Sequence, residues 1–289
     1  MGKLYKTLIF DGEIALSVLE TTDIVNQAIK YHCLTPVTAA ALGRVLTVTA
    51  FMSSSLKNED ERLSVTIDGD GKGGQIVTSA DGKMYVRGLI SNPYVDLPLN
   101  DMGKLDVSGV VGKNGYITVV KNLGLKEPYV GRCDLVSGEI ADDFTAYYAY
   151  SEQQPTAMAI GVLMGSDDKC IGAGGIVIQT MPGCSEESIV KAENLLSQFN
   201  NVSAKIKEKG AKGIIEEYFS EYEFSEYSPE YICNCSKEYI DGVLVTLGEE
   251  ELYNTVESEG KIEVCCHYCD KKYVYYKKDV DVLLGKTDE

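Results

Sequence analysis

Five of the nine cysteines in this 289-residue chain crowd between positions 233 and 269. They read Cys233-Asn234-Cys235, then a gap of about thirty residues, then Cys265-Cys266-His267-Tyr268-Cys269. Four thiolates in two close pairs can close a tetrahedral metal site, with sulfur about 2.3 Å from the metal. A terminal module of about 60 residues buries too little surface to be secure alone. Zinc contributes roughly 10–16 kcal/mol in small zinc peptides. The spacing therefore predicts one zinc ion held by Cys233, Cys235, Cys266 and Cys269, and a module that unfolds without it. Cys265 adjoins Cys266 and competes with it for the site; Cys266 is favoured because it leaves the two-residue spacing of a metal knuckle. His267 could replace a thiolate, but it sits inside the knuckle and is expected to point away.

Spacing alone also fits a permanent structural zinc, or a zinc ribbon that grips nucleic acid. The ribbon is disfavoured by charge: from 229 to 289 there are 7 Lys against 14 Asp and Glu. The whole chain carries a formal charge of -17, and nucleic-acid binders need a basic footprint. The same charge repels anionic membranes, so neither nucleic acid nor membrane is an expected partner. The apolar run Leu8-Ile9-Phe10 ends at Asp11, too short for a secretory segment, and Val45 to Met52 is too short for a membrane span. Clustered cysteines without a targeting segment place the chain in a reducing, cytoplasmic compartment, where they mean metal or redox chemistry. A thioredoxin-type C-x-x-C belongs to a βαβ context that is missing here.

Upstream, the pattern predicts an α+β domain over 1–182, dominated by antiparallel pairing with packed helices. Thr35-Pro36 introduces a buried helix running towards Leu56, with Thr as cap and Pro in the first turn. Strands are predicted at Leu63 to Ile67, Gln75 to Ser79 and Met84 to Arg87. Val107 to Val111 is predicted to pair with Tyr116 to Val120 across Asn114-Gly115, and Asp81-Gly82 marks a second hairpin. Ile140 to Tyr150 reads as a helix, and Thr156 to Leu163 and Ile171 to Thr180 as closing strands. After Pro182-Gly183, Ser185 caps a helix with apolar residues at Ile189, Ala192, Leu196 and Phe199. Shorter helical pieces follow at Val202 to Lys207 and Ile214 to Phe219. A helical middle segment thus spans 183–228, and a small zinc-binding module, expected to be strand-rich at Gly242 to Leu247 and Lys261 to Val264, spans 229–289.

Other signals carry less. Gly69-Asp70-Gly71-Lys72-Gly73-Gly74 matches G-x-G-x-x-G, but a strand rather than a helix is expected to follow, so a turn is predicted. Asp68 and Asp70 lack the rest of a calcium loop. With His32 and His267 alone there is no H-E-x-x-H, and the ligands and base of a zinc hydrolase are missing. Cys33, Cys133, Cys170 and Cys184 are isolated and expected to be small buried hydrophobes. Tyr218, Phe219, Tyr222, Phe224, Tyr227 and Tyr231 form an aromatic run alternating with Glu, either core plus solvated face or a client-binding or latch surface.

The C-x-C, long gap, C-x-x-C arrangement resembles the signature of the redox-regulated 33 kDa heat-shock chaperones, the 33 kDa chaperonin family. Thr35-Pro36-Val37-Thr38-Ala39-Ala40-Ala41-Leu42-Gly43-Arg44 is similar to that family's early helix. So are Gly69-Asp70-Gly71, Val86-Arg87-Gly88 with Asn92-Pro93, and Gly172-Ala173-Gly174-Gly175 before Met181-Pro182. The resemblance implies an inactive, zinc-loaded reduced state with one Zn2+ per chain. It implies that oxidants convert the four ligands to the disulfides Cys233–Cys235 and Cys266–Cys269, releasing zinc. The module then unfolds, the middle segment is destabilised, and the chain becomes an ATP-independent holdase for unfolding and oxidatively damaged proteins, dimeric on activation. Cys265 departs from the usual pattern and puts the second disulfide in doubt. Zinc-bound thiolate is the form that oxidants attack, and each pair gives a sulfenic acid a resolving partner. The expected function is therefore a redox-regulated chaperone, not an enzyme. The alternatives are an acidic scaffold with a constitutive structural zinc, and a thiol oxidoreductase that turns over without tightly held zinc.

Overall fold

The chain opens with a hairpin, β1 (Lys3–Ile9) and β2 (Ile14–Glu20), followed by two helices, α1 (Thr22–His32) and α2 (Pro36–Ser53). A meander follows: β3 (Arg62–Gly69), β4 (Ile76–Asp81), β5 (Tyr85–Ile90), a short helix α3 (Val107–Val111), β6 (Gly115–Asn122) and β7 (Tyr129–Asp134). Helix α4 (Ala141–Tyr147) runs into a π turn, Tyr148–Glu152, before the long hairpin β8 (Thr156–Met164) and β9 (Cys170–Thr180). Helices α5 (Glu186–Ser197) and α6 (Val202–Tyr218) lead to two short strands, β10 (Ser225–Tyr227) and β11 (Glu230–Tyr231). The computed structural model describes residues 1–286, in two compact units that meet between Ile232 and Cys233.

In the first unit, one sheet has the order β10-β1-β2-β9-β8, antiparallel throughout. The other has the order β11-β5-β4-β3-β6-β7, antiparallel except that β11 runs parallel to β5. Helix α2 packs on strands of both sheets. The Thr35 hydroxyl caps it by accepting from the Thr38 amide, and Pro36 sits in its first turn. Burial on all sides demands that its threonines be satisfied locally: Thr47 and Thr49 donate to Gly43 O and Val45 O, and their hydroxyls lie 2.6 Å from those of Thr21 and Thr78. Gly43 permits the close approach, since a Cβ there would meet Val25 and Val162 methyls at 2.9 and 3.0 Å. By length and composition α2 could cross a membrane, yet 89% of it is buried inside this fold.

The outer face of the five-stranded sheet carries a second core. Leu16, Val18 and Ile176 meet Ala192 of α5 and Ile206 and Ile214 of α6. Ser185 caps α5 by accepting from the Ser188 amide. The two predicted helical pieces after it are both present within α6, separated by a break at Gly210, whose φ of 67° only glycine adopts freely. The Ala211 amide beyond the break donates instead to the Glu20 carboxylate, at 2.9 Å. Most of the aromatic run is core: Phe219 is buried, Tyr218, Tyr222 and Phe224 pack on the same cluster, and Tyr227 alone is well exposed. Tyr231 is buried, and its hydroxyl donates to Gly88 O and accepts from Gly88 N.

Two expected strands are helices. Val107 to Val111 looks extended because it is β-branched, but Asp106 caps it by accepting from the Gly109 amide, and its last carbonyls accept from Gly71 N and Gly73 N. The Gly69–Gly74 segment is thus a turn folded over α3, with β4 after it. Asp70 is used up there, accepting from the Lys113 and Asn114 amides and the Asn114 side chain. Gly242 to Leu247 lies largely in α7 (Lys237–Val245), because Ser236 caps that helix and Ile240 and Leu244 share its buried face. The second unit continues with α8 (Glu249–Glu259), β12 (Ile262–Cys265), β13 (Lys272–Tyr275) and α9 (Lys277–Leu283), around its own small core of Ile240, Leu252, Val256, Ile262, Tyr275 and Val280.

Candidate metal centre

Two turns supply the four cysteines. Cys233 and Cys235 lie in the extended link between β11 and α7, and the Ser236 cap turns the chain immediately after the second thiol. Cys266 and Cys269 lie in the tight connection of the β12–β13 hairpin. There the Cys266 amide donates to Lys271 O, and the Cys269 and Asp270 amides donate to Cys266 O. Asp270 takes the left-handed conformation that closes the knuckle.

Short sulfur–sulfur approaches run between the two turns. Cys233 Sγ lies 3.5 Å from Cys266 Sγ, and Cys235 Sγ lies 3.4 Å from Cys269 Sγ. All four sulfurs fall within 4.8 Å of one another, each on a half-buried residue. A tetrahedron with metal–sulfur bonds of about 2.3 Å has edges of about 3.8 Å, so the arrangement fits a single thiolate-bound ion. It is the one such group of His, Cys, Asp or Glu among the described residues.

Tyr273 of β13 completes the surroundings. Its hydroxyl lies 3.3 Å from Cys235 Sγ and 3.0 Å from Cys235 O. Burial raises the Cys235 thiol pKa, but hydrogen bonds from Tyr273 and then from the neighbouring cysteines outweigh it and bring the pKa down to about 7. Burial pushes the Cys266 and Cys269 thiols up. A group of one acidic and two reluctant thiols loses its protons as a set when a cation compensates the charge. Sequence reasoning missed Tyr273; its signal is the alternation of Tyr273 and Tyr275 directly after the knuckle.

The rival ligands stand outside the group. Cys265 ends β12, and its thiol donates to Asp270 Oδ1 at 3.0 Å, a contact that raises its pKa. His267 is exposed. His32 packs in the first unit with Nε2 at 2.9 Å from Gly88 O. Of the isolated cysteines, Cys170 is buried, with its thiol pushed up to about 11 by burial. Cys133 and Cys184 are half-buried. Cys33 is exposed, contrary to expectation, because it takes the left-handed position that ends α1.

A family model described as Hsp33 protein matches residues 2–276. The chain is 44% identical over 274 residues to the 33 kDa chaperonin of Acetivibrio thermocellus, covering 93% of this chain and 92% of that one. It is 41% identical over 291 residues to the 33 kDa chaperonin of Bacillus subtilis, covering 99% of each. The crystal structure of the 33 kDa chaperonin (heat shock protein 33 homologue) of Thermotoga maritima superposes with a TM-score of 0.85 at 33% identity, covering 98% of this chain and 97% of that one.

Proposed function

The chain belongs to the Hsp33 family of 33 kDa chaperonins, and on that premise we propose that it is a redox-switched, ATP-independent holdase rather than an enzyme. The observation that carries the proposal is the gathering of four cysteine sulfurs within 4.8 Å. Cys233, Cys235, Cys266 and Cys269 hold one Zn2+ in the reduced chain. Bound zinc keeps the four thiols deprotonated and ties the two turns together.

Loss of two electrons from each pair forms the disulfides Cys233–Cys235 and Cys266–Cys269 and removes all four ligands. The electrons pass to the oxidant, a peroxide or hypohalite. The module, 229–289, then loses the bond that fastened its turns. The helical middle segment, 183–228, relays the loss. Its α5 and α6 hold down the apolar outer face of the five-stranded sheet, and that face becomes available to unfolding or oxidatively damaged clients when they loosen. The active form is a dimer. A reducing cytoplasm suits a switch whose resting state is four thiolates.

One observation favours a second reading, a scaffold with a constitutive structural zinc: the module has its own core, with Tyr275 and Val280 fully buried. A single experiment separates the two. Light scattering by a heat-unfolding test protein is followed with zinc-loaded reduced chain and with chain oxidised at mild heat, while zinc release is read with a coloured chelator. Suppression by the oxidised, zinc-free form alone, reversed by reduction, supports the switch; equal suppression by both forms, or none by either, sinks it.

A further inference from the structure

The five-stranded sheet ends on the three-residue strand β10 at one edge and on the nine-residue strand β8 at the other. β8 reads Thr-Ala-Met-Ala-Ile-Gly-Val-Leu-Met, nine residues without a charge. A strand of this kind at a sheet edge offers a row of unpaired backbone groups. Here the edge forms the floor of a groove of about 490 Å³, lined by Ala159 through Gly165. One wall is the stripe Pro36, Ala40 and Arg44, at four-residue spacing on α2. The facing wall is 199–204, where α6 begins, and the loop of Leu99 and Lys104 closes one side. The stretch of edge along the groove is roughly 20 Å long, room for an extended segment of about six residues.

Charge narrows the occupant. Among the described residues, the charged side chains lining the groove are Arg44 and Lys104, both cationic, in a chain whose net charge is -17. Arg44 is paired with Glu139 at 2.7 Å, outside the groove, while its Nε is buried without a hydrogen-bond partner. Lys104 is exposed at the rim and makes no ion pair among the described residues. Leu99 is 59% exposed beside it.

We propose that the β8 edge is a client seat: an extended, mainly apolar stretch of unfolded polypeptide bearing one carboxylate adds there as a further strand of the sheet. Main-chain hydrogen bonds along the edge supply sequence-tolerant affinity, and Lys104 supplies a preference for an acidic residue. The inference rests on the holdase reading, because the wall 199–204 belongs to the segment that the switch loosens.

The test uses a dye-labelled eight-residue peptide of alternating Val and Thr with one terminal Glu, and a twin N-methylated at alternate residues. Fluorescence anisotropy is measured against oxidised full-length chain. The plain peptide is expected to bind about tenfold or more tightly than the twin. Lys104→Glu and Leu99→Asp, both surface changes, are each expected to weaken it several-fold. A photo-crosslinking version should mark 159–165 or 99–105. Equal binding of the twin, or crosslinks confined to other regions, overturns the proposal. Scattering assays on the same sample keep the two ideas apart. If the oxidised chain holds a heat-unfolding protein but the peptide arms fail, this inference falls and the holdase reading stands. If holding fails, the holdase reading falls, and the peptide arms still decide whether the edge takes a strand.

Discussion

The Tyr273 hydroxyl reaches Cys235 twice, at 3.3 Å from its sulfur and 3.0 Å from its carbonyl oxygen. A donor aimed at a thiolate stabilises the form that binds metal, and groups of this kind contribute 10–100-fold to metal affinity. Tyr273→Phe is expected to keep the ring in the module core and to weaken zinc binding about tenfold, read by competition with a chelator. Unchanged affinity would reduce Tyr273 to a packing residue.

Cys265 and Cys266 are neighbours with different surroundings, one bonded to Asp270 and the other facing Cys233. Cys265→Ser should retain one zinc per chain by elemental analysis, and Cys266→Ser should lose it. The opposite result would exchange the ligand and the bystander.

Removing zinc from the reduced chain with a strong chelator should unfold the second unit selectively. Hydrogen exchange is expected to speed up at the amides of α8 and β12 and to stay slow in β3 and β9, whose strands lie inside the sheets of the first unit. Protection of α8 and β12 that survives metal loss would mean the small core suffices.

Ile206 of α6 is 3% exposed against the outer face of the five-stranded sheet. Ile206→Ala leaves a cavity that costs about 2–5 kcal/mol. Loosening α6 directly should let the reduced, zinc-loaded variant suppress scattering more strongly than the reduced parent. A variant as silent as the reduced parent would uncouple α6 from activation.

Glu13 ties the first hairpin to the start of α5, accepting from the Ser185 hydroxyl at 2.5 Å and the Ser185 amide at 3.2 Å. Hydrogen bonds from the Ser185 hydroxyl, and then from Ser188, hold its carboxyl below the usual carboxylate range. A lowered folded pKa contributes stability above the unfolded value of about 4.3, and that stability is lost as pH falls through the folded value. The protection factors of the Ser185 and Ser188 amides, exchange rates corrected for the intrinsic pH dependence, should therefore fall as the medium is acidified below about pH 4. In Glu13→Gln that protection should already be low at neutral pH and show no such step.

The sequence disclosed what local chemistry enforces. Thr35 and Pro36 mark the start of α2, Ser185 marks α5, and the two cysteine pairs mark the turns that meet in the second unit. It misled where a distant partner decides. Val107, Val110 and Val111 suit a strand, yet the amides of Gly71 and Gly73 need the carbonyls that only a helix end presents. Gly242 and Val243 belong to a helix because Ile240 and Leu244 meet a core assembled by β12, β13 and α9. β10 and β11 are too short to carry a pattern, and each forms only because an edge strand far back in the chain accepts it. Tyr273 needed the knuckle fold to bring it to Cys235.

The pairing of β2 with β9, Glu20 against Gly174 at one end and Ile14 against Thr180 at the other, has a consequence for how each molecule is made. The first hairpin leaves the ribosome long before its central partner exists. At about 5–20 residues per second, translation takes on the order of ten seconds to reach β9, and longer to reach the β10 that seals β1. Throughout that interval an apolar hairpin stands with both edges open, the kind of surface that nascent-chain factors shield. A newly made copy must therefore keep those edges from pairing wrongly until β9 and β10 arrive.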